Sequence, residues 1–259
     1  MSINSIIYGP VPSWRLGRSL GVDLLSTEGK TCSFDCAYCQ LGRTIHPLVE
    51  RKEFVTLSRL AEELKQVKRV TADYITFSGV GEPTLAVNLG EAITLARSVL
   101  GLPVAVLTNS SLMTGEDVRH DLSLADVVVA KIDAPDEETF RQINRPFVKY
   151  RLQEIIRAIK LFREQYKGNL ALQMMFISSN KDCAKEMAEI AEKLQPDEVQ
   201  INTPLRPCAV RPLSPEVIAP ISAEFSSLKN VATVYEAPRP EVNPLDLKET
   251  LKRRPKINI

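Results

Sequence analysis

The sequence contains no apolar run long enough to cross a membrane. No segment reaches the roughly 18 consecutive apolar residues that a transmembrane helix requires. The opening residues, MSINSIIYGPVPSWRLG, also lack the basic region followed by an apolar region that is typical of a signal peptide. We therefore expect a cytoplasmic protein with no membrane partner.

An excess of charge of either sign is missing too. The 259 residues include 33 Lys and Arg and 32 Asp and Glu, which gives a formal net charge of +1. Proteins whose main partner is a nucleic acid usually carry a basic excess or a concentrated basic patch. The one local excess is at the end of the chain, at Lys252, Arg253, Arg254 and Lys256. The composition therefore gives no support to a nucleic acid as the main partner.

Cysteine is scarce and unevenly placed. Three of the five cysteines, Cys32, Cys36 and Cys39, fall within the segment CSFDCAYC, whereas Cys183 and Cys208 are isolated. In a cytosolic chain such clustering indicates metal binding more often than disulfides. Thiolates are the ligands of iron–sulfur clusters. Three of them can hold three irons of a cubane, and the fourth iron stays open because no fourth cysteine follows nearby.

Histidine is rarer still, with only two residues, His46 and His120. His46 is close enough in sequence to complete a zinc site of the Cys3His type. Zinc sites usually pair two cysteines with a distant second pair, so the spacing favours the iron–sulfur cluster. Neither histidine has an identifiable partner in the sequence, and we predict a catalytic role for neither.

Apolar strand-like runs alternate with segments of helical periodicity. The predicted strands are residues 19–25, 73–79, 103–110, 126–133, 170–177 and 198–204, and the predicted helices are residues 57–67, 89–100, 152–162 and 187–194. Alternation of this kind indicates a parallel sheet, because parallel neighbours need a crossover connection. Six such units fit either an open doubly wound sheet or a partial barrel, and in both folds the site lies at the carboxyl ends of the strands.

Polar residues follow several of these strands. They are Ser78 and Gly79, Thr108 and Asn109, Lys131 and Asp133, and Asn202 and Thr203. Because the carboxyl ends of parallel strands meet at one edge of a sheet, we expect these residues to share one site.

Two motifs together resemble the radical S-adenosylmethionine (SAM) superfamily. The first is CxxxCxxC with an aromatic residue, Tyr38, before the last cysteine, and the second is FSGVGEPTL at the end of the second predicted strand. The resemblance implies a partial (β/α)6 barrel, a 4Fe–4S cluster on Cys32, Cys36 and Cys39, and SAM as the second cofactor. It also implies reductive cleavage of SAM to a 5′-deoxyadenosyl radical, with electrons from an external donor of the flavodoxin or ferredoxin type.

The resemblance also suggests which residues contact SAM. Tyr38 would lie beside the adenine, and Glu82 would accept a hydrogen bond from the methionine ammonium. Gly79 and Gly81 would let the backbone approach the ligand closely. The remaining candidates are Asn109 at the ribose, Asp133 as a second ribose contact or a helix N-cap, Gln173, and Asn202.

Longer segments, such as DAPDEETFRQINRP and VQINTPLRP, resemble the subgroup related to the wyosine-forming tRNA enzyme. This chain lacks that enzyme's extra N-terminal cysteines and its basic C-terminal extension. We therefore expect a small-molecule or peptide substrate and only weak tRNA binding, with a wyosine-type activity or activation of a glycyl-radical partner as alternatives. A non-catalytic electron carrier would conflict with the Gly-Glu-Pro motif.

The domain prediction is a core of residues 1–237, including an N-terminal lead-in, followed by a short, loosely held polar tail of residues 238–259. Five arginines in loops near the predicted strand ends suggest an anionic substrate, because the guanidinium group can clamp an anion bidentately. They are Arg15, Arg18, Arg145, Arg206 and Arg211.

Overall fold

The computed structural model describes residues 4–257, and its centre is a curled sheet of eight strands in the order β1-β2-β5-β6-β7-β8-β9-β10. The strands are β1 (Ile7–Ser13), β2 (Gly17–Val22), β5 (Tyr74–Phe77), β6 (Val104–Thr108), β7 (Val127–Lys131), β8 (Asn169–Met175), β9 (Glu198–Asn202) and β10 (Val231–Thr233). Two short strands, β3 (Thr31–Cys32) and β4 (His46–Pro47), pair with each other in the loop that follows β2.

The strand order identifies the fold as a partial barrel. From β2 to β10 all neighbouring strands are parallel, and no reversal of order occurs of the kind that defines a doubly wound sheet. All six predicted strands are present, so the predicted partial (β/α)6 barrel is confirmed. The sheet stays open because its edge strands, β1 and β10, do not pair with each other.

β1 was not predicted, and it is antiparallel to β2. Its sequence, IYGPVPS, contains Pro10 and Pro12, which cannot donate to a ladder. Proline is tolerated on edge strands, and β1 is one. The two prolines therefore mask this strand in the sequence pattern, although an edge position tolerates them.

The helices are α1 (Leu57–Gln66), α2 (Leu89–Leu100), α3 (Glu116–Ser123), α4 (Glu137–Asn144), α5 (Leu152–Gln165), α6 (Ala184–Leu194), α7 (Pro215–Ala223) and α8 (Leu247–Arg253). The four helices predicted from periodicity correspond to α1, α2, α5 and α6. α3 and α4 are eight residues each and strongly polar, so their periodic signal is short. Within residues 4–257, no helix is long and apolar enough to span a membrane.

The inner face of the barrel carries polar residues although its strands are buried. Lys131, Gln173 and Gln200 are in register on β7, β8 and β9. Gln173 and Gln200 are almost completely buried. Buried polar side chains need partners, so this row marks the barrel interior as a place where polar groups meet.

The segment after residue 237 differs from the loosely held tail that we predicted. The Leu245 N–H donates to the Gly9 carbonyl at 2.6 Å, and the Gly9 N–H donates to Thr250 Oγ1 at 3.0 Å. These bonds fix α8 beside β1, and the side chain of Arg253 is fully buried. The polar composition suggested exposure because the buried partners of these polar groups lie more than 200 residues away in sequence.

Candidate active site

A cavity of about 290 Å³ opens inside the barrel toward the carboxyl ends of the strands. All the site residues predicted from the sequence line it, namely Cys32, Cys36, Tyr38, Cys39, Gly79, Gly81, Glu82, Asn109, Asp133, Gln173 and Asn202. Its volume lies near the lower end of the range that is usual for small-molecule sites. The fold thus brings the predicted residues into one cavity.

The three clustered cysteines lie in the loop between β2 and α1. Cys32 belongs to β3, and a turn joins the Cys39 N–H to the Cys36 carbonyl at 3.1 Å. Within residues 4–257, no three Cys, His, Asp or Glu side chains converge closely enough to hold a single ion. His46, the fourth ligand in the zinc alternative, is exposed and lies with Nε2 2.9 Å from the Glu28 carbonyl oxygen. A cubane does not need such convergence, because each thiolate binds a different iron.

The buried environment of the cysteines disfavours their thiolate forms, and a positively charged ligand would favour them. Burial raises the pKa of the Cys32 thiol to about 12, and burial also raises the pKa of Cys36. The buried ammonium of Lys30 faces all three cysteines and lowers the pKa of both thiols, but it does not outweigh the burial. Metal binding requires thiolates, and a bound cluster supplies positive charge at the sulfurs. This donor set therefore fits an iron–sulfur cluster.

Two asparagine amides lie against cysteine sulfurs. Asn109 Nδ2 is 3.5 Å from Cys32 Sγ and 2.9 Å from Ser33 Oγ. Asn144 Nδ2 is 3.5 Å from Cys36 Sγ. Hydrogen bonds to the sulfurs are one of the means by which a protein sets the reduction potential of a cluster. The side chain of Asn109, predicted at the ribose, is thus directed to the cysteine loop.

Sequence reasoning did not select Asn144, although it lies in the quoted segment DAPDEETFRQINRP. It is the last residue of α4, a short polar helix with little periodic signal in the sequence, so its position beside Cys36 was hidden. The resemblance of this segment to the wyosine-enzyme subgroup was the sequence signal that could have pointed to Asn144.

Asp133, at the end of β7, is almost fully buried and joins a hydrogen-bonded group. Its carboxylate accepts from the Tyr38 hydroxyl, from Asn144 Nδ2 at 2.7 Å and from the Met175 N–H at 2.9 Å. Lys131 Nζ donates to the Tyr38 hydroxyl at 2.7 Å and lies 4.4 Å from the centre of its ring. The group fixes the orientation of the Tyr38 ring in the cavity.

The N-cap alternative for Asp133 is wrong. α4 is capped by Asp136, whose Oδ1 accepts from the Thr139 N–H at 2.8 Å.

Glu82, in the Gly-Glu-Pro turn, is buried and accepts four hydrogen bonds. Oε1 accepts from the Thr84 N–H at 3.2 Å and from the hydroxyls of Thr84 and Thr108 at 2.7 and 2.6 Å. Among residues 4–257, the one donor to Oε2 is the Asn109 N–H, at 2.7 Å. Burial raises the pKa of Glu82, and these hydrogen bonds oppose that shift. A carboxylate has about four acceptor positions, two on each oxygen, so Oε2 retains room for a further donor from the cavity.

The glycines of the same turn are needed for packing within the protein. A Cβ at Gly81 would lie 1.6 Å from the Thr31 carbonyl oxygen, and a Cβ at Gly79 would lie 2.2 Å from the Asp23 carboxyl. Any side chain at either position would push the turn away from the cysteine loop. We expected the glycines to admit the ligand, and the structure shows that they also admit neighbouring protein atoms.

Comparison with known proteins identifies the family. Residues 29–191 match the model of the radical SAM superfamily, which is more than half of the chain. The chain belongs to this superfamily. Radical SAM enzymes use a 4Fe–4S cluster and SAM, and a three-cysteine donor set that opens on a cavity agrees with both.

Other proteins are similar to this chain in sequence or in fold. A UPF0026 protein of Methanocaldococcus jannaschii is 39% identical over 234 residues, covering 86% of this chain and 72% of that protein. Streptococcus suis SuiB bound to S-adenosylmethionine superposes with a TM-score of 0.64 at 13% identity, over 84% of this chain and 50% of SuiB. Archaeal TYW1 gives a TM-score of 0.58 at 14% identity, over 81% of this chain and 72% of TYW1. Both structures are similar in fold, and this chain spans about half the length of SuiB.

The radical SAM barrel of this chain brings arginines into the cavity, but only some of those that we predicted. Arg15 Nη1 donates to Gln173 Oε1 at 2.9 Å, and Arg206 lines the same cavity. Arg18 instead pairs with Asp73, with its Nη2 2.6 Å from Oδ1.

The other arginines differ from the prediction. Arg145 and Arg211 are exposed and do not line the cavity. Two arginines from the C-terminal segment, Arg239 and Arg254, line the cavity instead, and sequence reasoning did not assign either of them to the site.

Proposed function

We propose that this radical SAM enzyme cleaves SAM reductively at a 4Fe–4S cluster held by Cys32, Cys36 and Cys39. When bound, the two cofactors supply a 5′-deoxyadenosyl radical, which abstracts a hydrogen atom from a substrate in the cavity. The observation that carries the proposal is the meeting of the three cysteines and the Gly-Glu-Pro turn at one cavity. In this proposal the protein holds the cofactors, orients the substrate and excludes water.

The cofactor contacts follow from the groups that remain available. Glu82 Oε2 has one protein donor and accepts the methionine ammonium of SAM as a second. The Tyr38 ring, held by Asp133 and Lys131, lies beside the adenine. The amides of Asn109 and Asn144 act on the cysteine sulfurs, and Gln173 and Asn202 line the part of the cavity formed by β8 and β9.

An external one-electron donor of the flavodoxin or ferredoxin type would reduce the cluster. The clustered thiols need a reducing compartment to stay available, which favours the cytoplasm. Both assignments follow from the proposed chemistry.

The contacts of the basic C-terminal segment argue against an RNA substrate. Of its basic residues, Arg253 is fully buried, and Arg254 donates to Ser78 Oγ at 2.9 Å in the barrel. RNA affinity depends on free cations that neutralise phosphates. Arg253 and Arg254 are thus engaged with the barrel, and the net charge of the chain is only +1, so we propose a small molecule or a peptide as the substrate.

SAM cleavage by the intact chain tests the proposed function. The chain is reconstituted anaerobically with iron and sulfide, mixed with SAM and reduced with dithionite. We expect release of 5′-deoxyadenosine and methionine, measured by liquid chromatography, and no release without the reductant. Intact SAM in the presence of a loaded and reduced cluster would overturn the proposal.

Replacing Glu82 by glutamine tests the ammonium contact. Glu82→Gln keeps the shape and most of the acceptors, but it removes the charge. We expect SAM affinity to fall by roughly tenfold or more, since a charge-assisted hydrogen bond contributes about 1.5–3 kcal/mol. Calorimetric titration of the loaded chain with SAM measures the change.

Glu50→Gln is the matched control, because Glu50 is an exposed glutamate that does not line the cavity. Equal SAM affinity in Glu82→Gln and Glu50→Gln, with normal iron loading in both, would reduce Glu82 to a residue that only holds the turn.

A further inference from the structure

Four arginines form one wall of the cavity, and we define Arg15, Arg206, Arg239 and Arg254 as the arginine wall. They come from distant parts of the chain: the β1–β2 turn, the loop after β9 and the C-terminal segment. Arg206 Nη1 donates to the Pro255 carbonyl, which joins the loop after β9 to the C-terminal segment. The wall therefore exists only because the C-terminal segment is docked on the barrel.

The arginine wall has few protein partners for its charge. Within residues 4–257, none of its four guanidinium groups lies within 4.0 Å of a carboxylate. Their partners are neutral: Gln173 Oε1, Ser78 Oγ and backbone carbonyls. Arg15 Nε is buried without a hydrogen-bond partner among the described residues. A guanidinium has five N–H donors, so most of the donors in the wall are unclaimed by the protein.

The four cations also repel one another. The pKa of Arg15 is lowered by burial and by the charges of Arg254 and Arg206, with Glu198 opposing the shift. The pKa of Arg206 is lowered by burial and by Arg254 and Arg239. Grouping like charges in a partly enclosed cavity costs free energy unless an anion binds between them.

The carboxylates that line the cavity do not relieve this repulsion. They are Glu82 and Asp133. Glu82 is engaged with Thr84, Thr108 and Asn109, and Asp133 is engaged with Tyr38 and Asn144. The cavity cations that face the cysteines and Tyr38 are lysines, Lys30 and Lys131, whereas the arginine wall contacts Gln173, Ser78 and the C-terminal segment.

We propose that the arginine wall is a subsite for phosphate groups of the substrate, an assignment that rests on the proposed radical SAM function. Arginine matches phosphate through paired N–H donors. A carboxylate carries one negative charge, whereas a phosphate monoester carries nearly two and a diphosphate more, so a phosphorylated molecule balances four guanidinium groups better.

Titration with inorganic pyrophosphate tests the subsite. The full chain is loaded with its cluster and saturated with SAM, so that the cofactor contacts are filled, and binding is measured by calorimetry. We expect Arg206→Gln and Arg254→Gln each to weaken pyrophosphate binding by about tenfold, the loss expected for a charged hydrogen bond. Arg157→Gln is the control, since Arg157 is exposed on α5 outside the cavity, and it should bind as the unmodified chain does.

Arg206→Lys controls for a folding defect in Arg206→Gln, because it keeps the charge and removes only the paired donors. It should bind pyrophosphate more tightly than Arg206→Gln and less tightly than the unmodified chain. Citrate, which carries carboxylates alone, should bind more weakly than pyrophosphate.

Several results would overturn the subsite. The unmodified chain fails to bind pyrophosphate, or both glutamine variants bind it as tightly as the unmodified chain, or citrate binds as tightly as pyrophosphate. A loss of SAM affinity in these variants with unchanged pyrophosphate binding would assign the wall to the cofactor and would also overturn it. Release of 5′-deoxyadenosine is measured separately. If no 5′-deoxyadenosine is released but pyrophosphate still binds, the proposed function is wrong and the anion site is retained.

Discussion

Replacing any one of Cys32, Cys36 and Cys39 by alanine is expected to abolish loading of the iron–sulfur cluster. The cubane has three protein thiolates, and each holds one iron, so the loss of one ligand leaves two irons without protein support. The unmodified chain should bind about four irons and four sulfides after anaerobic reconstitution. Iron and sulfide analysis of each purified variant measures the change.

Cys183→Ala and Cys208→Ala are the matched controls, and both should load as the unmodified chain does. Neither residue lines the cavity, and the Cys208 thiol donates to the Val210 carbonyl at 3.2 Å. Full loading in a variant of the clustered cysteines, or one zinc per chain in place of iron, would contradict the cluster assignment.

The alternation of strands and helices was sufficient to predict a parallel sheet and the edge that carries the site, because both depend on local patterns. The choice of a partial barrel over a doubly wound sheet came from the resemblance to the radical SAM superfamily. Each β–α unit shows its own periodicity, and parallel strands bring their carboxyl ends to one edge whatever their partners are. Cys32, Glu82 and Asp133 therefore fell in one cavity as expected.

The contacts of individual side chains were harder to predict. A strand end fixes where a residue lies but not which neighbour its side chain meets. The Asn109 amide lies beside Cys32 rather than being left free for a ribose, and Asp133 accepts hydrogen bonds from Tyr38 and Asn144. Asn144 acts from a short polar helix that leaves little periodic signal.

The C-terminal segment shows the limit of local patterns most clearly. Its sequence is polar, and polar composition usually indicates exposure. Arg253 is nevertheless fully buried, because it pairs with Asp23, 230 residues earlier in the chain, and with Glu249 on its own helix. The sequence does not reveal this pairing. It therefore does not show that Arg239 and Arg254 line the cavity.

Asp23 and Arg253 connect the C-terminal segment to the loops of the active site. Arg253 Nε donates to Asp23 Oδ2 at 2.8 Å, and both side chains are almost completely excluded from solvent. Asp23 also accepts from the N–H groups of Ser26, which precedes the cysteine loop, and of Val80, in the Gly-Glu-Pro turn. Gln40 Nε2, next to Cys39, donates to the Arg253 carbonyl at 2.8 Å.

Arg253→Ala is expected to destabilise the fold strongly. It leaves the Asp23 carboxylate buried without its cation and removes a guanidinium packed 5.0 Å from the centre of the Tyr8 ring. Removing one partner of a buried ion pair costs about 3–5 kcal/mol of the free energy of unfolding. In a chain of this size that corresponds to a fall in Tm of roughly 10 °C, measured by circular dichroism.

Lys248→Ala provides the comparison within the same helix, since Lys248 is exposed, and we expect a change within about 0.5 kcal/mol. The pairing itself is isolated by adding Asp23→Ala, alone and together with Arg253→Ala. The double variant removes both charges of this pair, and Glu249, the other carboxylate beside Arg253, keeps its ion pair with Lys252. The double variant should therefore lose less stability than the sum of the two single variants. Additive losses, or a Tm of Arg253→Ala equal to that of Lys248→Ala, would show that the buried ion pair does not hold the C-terminal segment on the barrel.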